Sequence, residues 1–282
     1  KKGIMILVML IAFLTQGQGT DGGGNFSTIM GKDTKATGYA SIAMGQTSIA
    51  EGSTSTAMGY STKASGSYST AMGKNTKATG PYSIAMGQKS TAEGSTSTAM
   101  GYSTNAIGSY STAMGIGSSA KKFSSTAIGH STTADGIAST SMGMGTSANA
   151  DTSTSMGRFT KASDFASLVI GQYNDAGSTK TNSDSNTIFN QANTAFVIGN
   201  GIEYSSRSDA FKVLFNGKTT VSNDLTVNGD IVVSSDIRLK ANIISLGTTL
   251  TKLLLIDGKS YTMKKNNKQK IGVLAQDIQK VF

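Results

Sequence analysis

The chain has 282 residues, with 34 Gly, one Pro, no Cys and no Trp; aromatic residues make up 7% and charged residues 15%. A globular domain of this length normally carries more large apolar side chains, so the composition argues against a conventional globular enzyme. The absence of Cys excludes disulfides and thiolate metal sites. The net charge is +9, but no aromatic residues interleave with the basic residues near the C-terminus, so we expect no nucleic-acid partner.

Residues 1–19 have the pattern of a secretory signal peptide. Two lysines precede an apolar stretch from Ile4 to Leu14, and a small polar segment follows. This stretch is too short to span a bilayer, and the alternative is a buried strand of the mature protein. We therefore expect an exported protein with no membrane-spanning segment after signal removal. Because the chain begins without Met and stops inside a predicted helix, we also expect it to be part of a longer protein.

A glycine recurs with a period of 14, without one slip, from Gly31 to Gly171. Met or Ile precedes each of these glycines, Ala mostly stands two residues before it, and Ser stands four before it. Ala stands five residues after most of these glycines, and a second Gly stands two residues after that Ala, as in Gly45, Ala50 and Gly52. A weaker period of 42 overlies this one, because residues 31–38 return almost unchanged as residues 73–80. Self-similarity of this kind indicates a solenoid of stacked coils.

Each 14-residue coil contains two short segments with strand alternation. In residues 41–45 one face carries Ser, Ala and Gly, and the other carries Ile and Met. In residues 48–52 one face again carries Ser, Ala and Gly, while the other is mostly polar in the remaining coils. The pattern predicts an all-β fold in which two strands per coil form a flat roll. Its narrow interior is lined by the small faces of both strands.

The Met/Ile column of the first strand is then predicted to point out of the roll. Eleven large apolar side chains would form one continuous stripe, which is more than a soluble monomer leaves exposed. The same stripe of symmetry-related copies would cover it, which makes the column a predicted oligomer axis. The alternative is that the Met side chains form an ordinary solenoid core.

The unit Ser-x-Ala-Met-Gly-x-x-Thr-x-Ala-x-Gly, as it recurs over about residues 26–172, resembles the head repeat of trimeric autotransporter adhesins of the YadA type. The resemblance implies a left-handed parallel β-roll solenoid, trimeric, over residues 22–172. It also implies export to the cell surface, and a host matrix protein or a surface glycan as partner.

Residues 173–234 are predicted to form a connector and a β neck. Polar residues dominate 174–192, and short strand-like pieces follow. Asn216-Gly217 and Asn228-Gly229 are hairpin or tight-turn signals between these pieces. The pieces lie at 195–198, 211–215, 225–227 and 231–233.

Residues 235–282 are predicted to form a small α/β segment. Apolar residues recur at near-helical spacing from Asp236 to Leu254. A strand at 259–264, a turn at Asn266-Asn267, a strand at 271–274 and a helix at 275–282 are predicted to follow.

Two stretches of this segment, residues 235–240 (Ser-Asp-Ile-Arg-Leu-Lys) and 271–277 (Ile-Gly-Val-Leu-Ala-Gln-Asp), resemble part of the C-terminal intramolecular chaperone domain of phage endosialidases and tail spikes. Such domains trimerise, guide folding of the fibre and then cut themselves off. The resemblance implies that Ser235 is the nucleophile, that Lys240 is the base and that the bond before Ser235 is cut.

The implied Ser–Lys chemistry is physically reasonable. A serine hydroxyl needs a base to accept its proton, and a lysine is such a base only when burial or nearby positive charge keeps it neutral. Arg238 could supply that charge. The alternative from spacing alone is a helix start, with Ser235 as N-cap and Lys240 on the surface.

Three functions remain open from the sequence. The first is a fibre or adhesin shaft at the cell surface, secreted, or in a virion tail. The second is a self-cleaving serine endopeptidase that acts on its own chain. The third is a carbohydrate- or ice-binding solenoid built on a Thr/Ser column, although strand alternation directs this column into the roll. No cofactor or metal is expected. The column begins with Thr34, Ser48, Thr62 and Thr76.

Overall fold

The computed structural model describes residues 23–175, 186–228, 249–262 and 269–281. The predicted signal peptide, the strand predicted at 231–233 and the first part of the helix predicted from Asp236 lie outside these residues. The same is true of Ser235 and Lys240.

Residues 28–172 form a roll of 14-residue coils, each with one long and one short strand. The long strands are β1 (Thr28–Lys32), β3 (Ile42–Gln46), β5 (Thr56–Tyr60), β7 (Thr70–Lys74), β9 (Ile84–Gln88), β11 (Thr98–Tyr102), β13 (Thr112–Ile116), β15 (Thr126–His130), β17 (Thr140–Met144), β19 (Thr154–Arg158) and β21 (Leu168–Gln172). The short strands are β2 (Lys35–Ala36), β4 (Ile49–Ala50), β6 (Lys63–Ala64), β8 (Lys77–Ala78), β10 (Thr91–Ala92), β12 (Asn105–Ala106), β14 (Ser119–Ala120), β16 (Thr133–Ala134), β18 (Ser147–Ala148) and β20 (Lys161–Ala162).

The coils stack in parallel and strictly in register. In the pairing of β3 with β5, for example, Met44 lies beside Met58 and Gly45 lies beside Gly59. The long strands form one sheet and the short strands form a second sheet. The predicted all-β solenoid of 14-residue coils, with two strands per coil, is therefore confirmed.

The interior of the roll is filled by small side chains from both sheets. The alanines that stand two residues before each repeat glycine and five residues after it, such as Ala43 and Ala50, are fully buried. Ser and Thr side chains flank them, and Thr62 donates a hydrogen bond to Ser48, whose hydroxyl donates to the Gly59 carbonyl, both at 2.9 Å. The interior leaves no room for Met, so the alternative of a methionine core is excluded.

The two glycines of each coil have different roles, and the predicted position of the first one is wrong. Gly52 and its equivalents are buried, as the alternation predicts, but Gly45 is exposed. At Gly45 the backbone has φ +110, so the regular alternation of faces ends there, one residue before the end of the strand. A Cβ at this position would lie 2.1 Å from the Gly59 carbonyl oxygen of the next coil. Close stacking of backbones, and not interior packing, therefore requires this glycine.

Most coils also hold non-glycine residues in the left-handed region at both turns. Thr47 has φ +53 and Thr54 has φ +54. Their N–H groups donate to carbonyls of the preceding coil, to Lys32 at 2.9 Å and to Tyr39 at 2.7 Å. These hydrogen bonds between coils compensate for a conformation that costs an L-residue about 1–2 kcal/mol.

The long-strand sheet continues beyond the predicted head. Strand β22 (Thr194–Asn200) pairs in parallel with β21, and Gly199 lies beside Gly171. Strands β23 (Asp209–Leu214) and β24 (Thr219–Val221) follow as antiparallel neighbours around the predicted Asn216-Gly217 turn. The strand predicted at 225–227 is absent from the described residues 223–228. Thus β22 is one more rung of the roll.

The short-strand sheet ends at β20, where the side chain of Asn174 takes the place of another strand. This side chain is fully buried. Its Oδ1 accepts from the Lys161 N–H at 2.7 Å, and its Nδ2 donates to the carbonyls of Lys161 and Asp175 at 3.1 and 3.2 Å. Because a carboxamide offers the same donor and acceptor as a peptide group, Asn174 satisfies the last backbone groups of the sheet.

The chain from Thr226 onward forms a second compact unit. Its described elements are α1 (Thr249–Leu253), β25 (Lys259–Thr262), β26 (Gln269–Gly272) and α2 (Ala275–Val281). Strands β25 and β26 form an antiparallel pair. The order of strand, strand and helix is as predicted from the sequence.

We expect Gly87→Ala to destabilise the roll strongly. Gly87 has φ +107, and a Cβ there would lie 2.2 Å from the Gly101 carbonyl oxygen. Strain and overlap together should cost roughly 3 kcal/mol or more. The matched control is Gly117→Ala, where φ is +62 and the nearest atom would be 3.6 Å away. The control should lose only about 1 kcal/mol, which chemical denaturation of both variants would measure. Equal losses would contradict the stacking argument.

We expect Asn174→Ala to weaken the C-terminal end of the roll. The change leaves the N–H and C=O of Lys161 without their present partners in a partly buried site, which should cost about 1 kcal/mol for each lost hydrogen bond. Asn105→Ala is the control, because Asn105 is exposed on the outer face of β12. A urea midpoint that falls for Asn174→Ala and not for Asn105→Ala would support the capping role; unchanged midpoints in both would refute it.

Candidate assembly interface

The column of Met and Ile side chains lies on the outward face of the long-strand sheet, as predicted. Met30 is 40% exposed and Met156 is 38% exposed, and the other members of the column are partly buried. The in-register pairing places each side chain directly beside the next one. The column consists of Met30, Met44, Met58, Met72, Met86, Met100, Met114, Ile128, Met142, Met156 and Ile170.

Further apolar side chains widen this stripe at intervals. Ile42, Ile84 and Leu168 stand two residues before the Met/Ile column on the same outward face, and they are 37%, 38% and 37% exposed. Threonine occupies the equivalent position in the other coils. The outward face of the long-strand sheet is therefore an apolar surface along the whole roll.

The opposite outward face, on the short strands, is polar. Lys63 and Glu51 of adjacent coils form an ion pair at 3.1 Å, and Lys121 and Asp135 form another at 3.2 Å. Both pairs are about 40% exposed, so each contributes little to stability. This face is suited to contact with water, and only the long-strand face requires cover.

The Thr/Ser column that a ligand-binding solenoid would use is inaccessible. Thr34, Ser48, Thr62 and Thr76 are at most 1% exposed. Their hydroxyls face the interior, as the strand alternation predicts. This column cannot contact carbohydrate or ice.

An arginine and aromatic cluster at the C-terminal end of the roll was not predicted from the sequence. Arg207 Nη1 donates to the carbonyls of Phe159 and Asn174, both at 3.0 Å. Its guanidinium lies 4.8 Å from the ring centre of Tyr204 and 5.7 Å from that of Tyr173. These contacts attach the loop after β22 to the last coils. The cluster therefore acts as an end cap, in which Arg207 Nη1 binds backbone carbonyls.

Other kinds of site receive no support from the described part of the chain. Its His, Asp and Glu residues form no group of three or more that could hold a metal ion. Among its helices, none has the length and apolar character needed to cross a membrane.

The predicted catalytic pair, Ser235 and Lys240, falls outside the described residues, so its geometry remains a prediction. The described part of the C-terminal unit contains one short ion pair, between Asp257 and Lys259 at 2.6 Å. The hydrogen bond from Lys259 lowers the pKa of the exposed Asp257 carboxyl, with a further contribution from the lysine charge. This pair lies beside the hairpin and has no predicted catalytic role.

Two family models match the chain. The YadA head domain repeat, a model of two copies, matches residues 36–62, 50–76, 64–90, 78–104, 92–118 and 120–146. The roll carries YadA head repeats. The second model, chaperone of endosialidase, matches residues 235–282. A search of curated proteins found no match.

Both matches confirm the resemblances inferred from the sequence motifs. The chain therefore combines adhesin-like YadA head repeats with an endosialidase-type chaperone segment in one polypeptide. This combination supports an adhesin or fibre protein with a chaperone domain.

Proposed function

We propose that the protein is the shaft of a homotrimeric fibre, displayed on a cell surface or on a virion tail. The YadA head repeats form a rigid rod around a threefold axis, and the C-terminal segment promotes trimerisation. That segment then cuts the chain before Ser235. The rod holds a binding surface for a host matrix protein or a surface glycan at a distance from its anchor.

The observation that carries this proposal is the apolar stripe on the long-strand face. Eleven Met or Ile side chains form it, and none of them contributes to the interior of the roll. A strip of this length exposed to water favours association, and identical strips meet best around a symmetry axis. The match to YadA head repeats supports a trimer, and the match to the chaperone of endosialidase also favours a fibre.

Self-cleavage is proposed on the match of residues 235–282 to the chaperone of endosialidase. In this proposal Lys240 accepts the proton of the Ser235 hydroxyl, which attacks the carbonyl of Ser234. The Ser234–Ser235 peptide bond breaks as the Ser235 amine leaves with that proton, and water then hydrolyses the resulting ester. The attack requires a neutral lysine, and packing in an assembled trimer would favour that state by desolvation. Cleavage should therefore follow assembly.

We expect the double variant Met86→Asp/Met100→Asp to abolish assembly. Two carboxylates on the stripe would be buried without partners in the trimer, which costs several kcal/mol for each. Light scattering should give a trimer mass for the unmodified protein and a monomer mass for this variant.

The matched control is Thr91→Asp/Asn105→Asp, which adds the same two charges to the polar face of neighbouring coils. The control should remain trimeric, because its new carboxylates stay in water. A monomeric unmodified protein would refute the trimer, and a trimeric Met86→Asp/Met100→Asp variant would refute the stripe as its axis.

We expect the full-length protein to cleave between Ser234 and Ser235 after it trimerises. Ser235→Ala removes the nucleophile and Lys240→Ala removes the base, so each variant should stay uncut while still forming trimers. Intact mass, measured together with trimer content, reports both properties.

Two outcomes would overturn the Ser–Lys dyad. A full-length trimer that stays uncut would reduce Ser235 to a helix cap. Persistent cleavage in Ser235→Ala would assign the cut to another protease. Arg238→Lys, which keeps the positive charge beside the dyad, should still cleave and serves as the control.

A further inference from the structure

The roll has two long edges, one at each end of the long strands. Edge 1 is the column formed by the residue that follows the repeat glycine in each coil. Edge 2 is the column formed by the turn residue that lies six positions before the edge 1 residue of the same coil. Coil by coil, edge 1 consists of Lys32, Gln46, Tyr60, Lys74, Gln88, Tyr102, Ile116, His130, Met144 and Arg158. In the same order, edge 2 consists of Phe26, Ala40, Thr54, Tyr68, Tyr82, Thr96, Tyr110, Ser124, Ala138 and Thr152.

Exposed aromatic pairs recur on edge 2 at every third coil. Tyr68 and Tyr82 stack with ring centres 5.0 Å apart and planes 2° apart. Tyr110 pairs with Phe123, which directly precedes edge 2 in the next coil, at 5.4 Å. Phe26 pairs in the same way with Tyr39 at 5.6 Å. The leading members of the three pairs, Phe26, Tyr68 and Tyr110, follow one another at the longer period of the sequence.

These aromatic pairs are largely uncovered in a single chain. Each of the six rings is 53–82% exposed. Repeated exposed aromatic rings are characteristic of interface residues. A carbohydrate-binding platform explains these exposed rings less well, because a sugar would stack on a free ring face. In the Tyr68–Tyr82 pair each ring covers one face of the other. The arrangement therefore favours a partner that packs around the rings.

Large side chains on edge 1 also recur at every third coil, but in other coils than the aromatic pairs of edge 2. In the third and sixth coils it carries the bulky Tyr60 and Tyr102, where edge 2 carries Thr54 and Thr96. In the ninth coil it carries Met144, where edge 2 carries Ala138. Tyr60, Tyr102 and Met144 of edge 1 thus stand at levels where edge 2 is small.

Where edge 2 is aromatic, edge 1 carries a residue that is not aromatic. In the fourth coil Tyr68 stands at the level of Lys74, and in the seventh coil Tyr110 stands at the level of Ile116. Ile116 is 52% exposed, which provides an apolar contact surface. A lysine packs its methylene stem against a ring while its ammonium stays in water. No coil carries an aromatic residue in both edge positions.

We infer that edge 2 of one protomer packs against edge 1 of the next protomer, with each coil beside the coil of equal height. This inference rests on the proposed parallel assembly about the Met/Ile column. Rotation about an axis parallel to the roll brings coils of equal height together and places unlike edges side by side. The partner of the aromatic pairs is therefore a second copy of this chain. The three-coil period sets the level at which the copies meet.

Cysteine pairs test this inference directly, because the chain has no Cys. In the full chain, Tyr68→Cys/Lys74→Cys places one thiol on each edge of the same coil. Within one chain Tyr68 precedes β7 and Lys74 ends it, so the length of the strand, about 13 Å, separates the two positions and no bridge can form there. Oxidation should link each protomer to the next and give a covalent trimer on a non-reducing gel.

The control pairs place the edge 1 thiol three coils away, as Tyr68→Cys/Lys32→Cys and Tyr68→Cys/Ile116→Cys. Three coils correspond to about 14 Å, which exceeds the disulfide reach of about 7 Å between Cα atoms. These variants should stay unlinked. Covalent trimers in the controls, or none in the matched pair of a protein that is trimeric by light scattering, would overturn the edge pairing. The second result would leave the aromatic pairs open to another ligand, whereas a monomer would refute the proposed trimer itself.

A size swap provides a second test. Thr54→Tyr puts a ring opposite Tyr60 of the next protomer, and we expect the trimer fraction to fall at least tenfold at a concentration near the dissociation midpoint. The roll itself should tolerate the change, because Tyr68 and Tyr82 occupy the same turn position with φ +59 and +57. Thr54→Tyr/Tyr60→Thr restores one ring per level and should restore the trimer. An unaffected Thr54→Tyr trimer, or failure of the double variant to recover, would contradict the inference.

Discussion

In-register stacking of backbones is the constraint on which the rest of the roll depends. The repeat glycine, which is the penultimate residue of each long strand, has a positive φ, and its Cα lies so near the next coil that a Cβ would be about 2 Å from a carbonyl oxygen. Coils stacked this closely repeat every residue position as a column along the fibre. One local requirement, the absence of a side chain at one position in each coil, thus fixes the register of the whole rod.

The narrow interior follows from the same stacking. Fully buried Ala columns from both sheets set the thickness of the roll, so an interior hydroxyl can find a hydrogen-bond partner only within its own coil or in a neighbouring coil. Ser141 and Ser155 replace interior alanines, and their hydroxyls pair with Thr146 and Thr160 at 2.8 Å. The large apolar side chains have no place in such an interior. The Met and Ile side chains instead form a column on one outer face, and this column is the basis of the proposed assembly.

The three-coil period connects the interior with the surface. Inside the roll, Thr62 donates to Ser48, and Thr104 donates to Ser90 in the same way three coils later. Outside the roll, the aromatic pairs and their smaller counterparts recur with the same interval. A block of three coils was therefore duplicated together with its contacts. In a symmetric assembly, each copy of the block then meets an identical block at the same height.

The sequence by itself determined the period, the two strands per coil, the small interior and the outward Met column, because each depends on alternation within a few residues and on recurrence at a fixed interval. The family resemblances and the Ser235–Lys240 hypothesis also came from local motifs. The structure decided the outward position of the Gly45 column, where a positive φ ends the alternation. It also showed the additional rung at β22 and its cap. Val197-Ile198-Gly199 repeats Val169-Ile170-Gly171 after twice the coil period, and could have signalled that rung. The polar residues between them hid it, because the return of a chain to a sheet after an aperiodic segment depends on contacts between residues distant in sequence. Asn174 and Arg207 could not be predicted for the same reason, since their partners become neighbours only when the last coils are stacked.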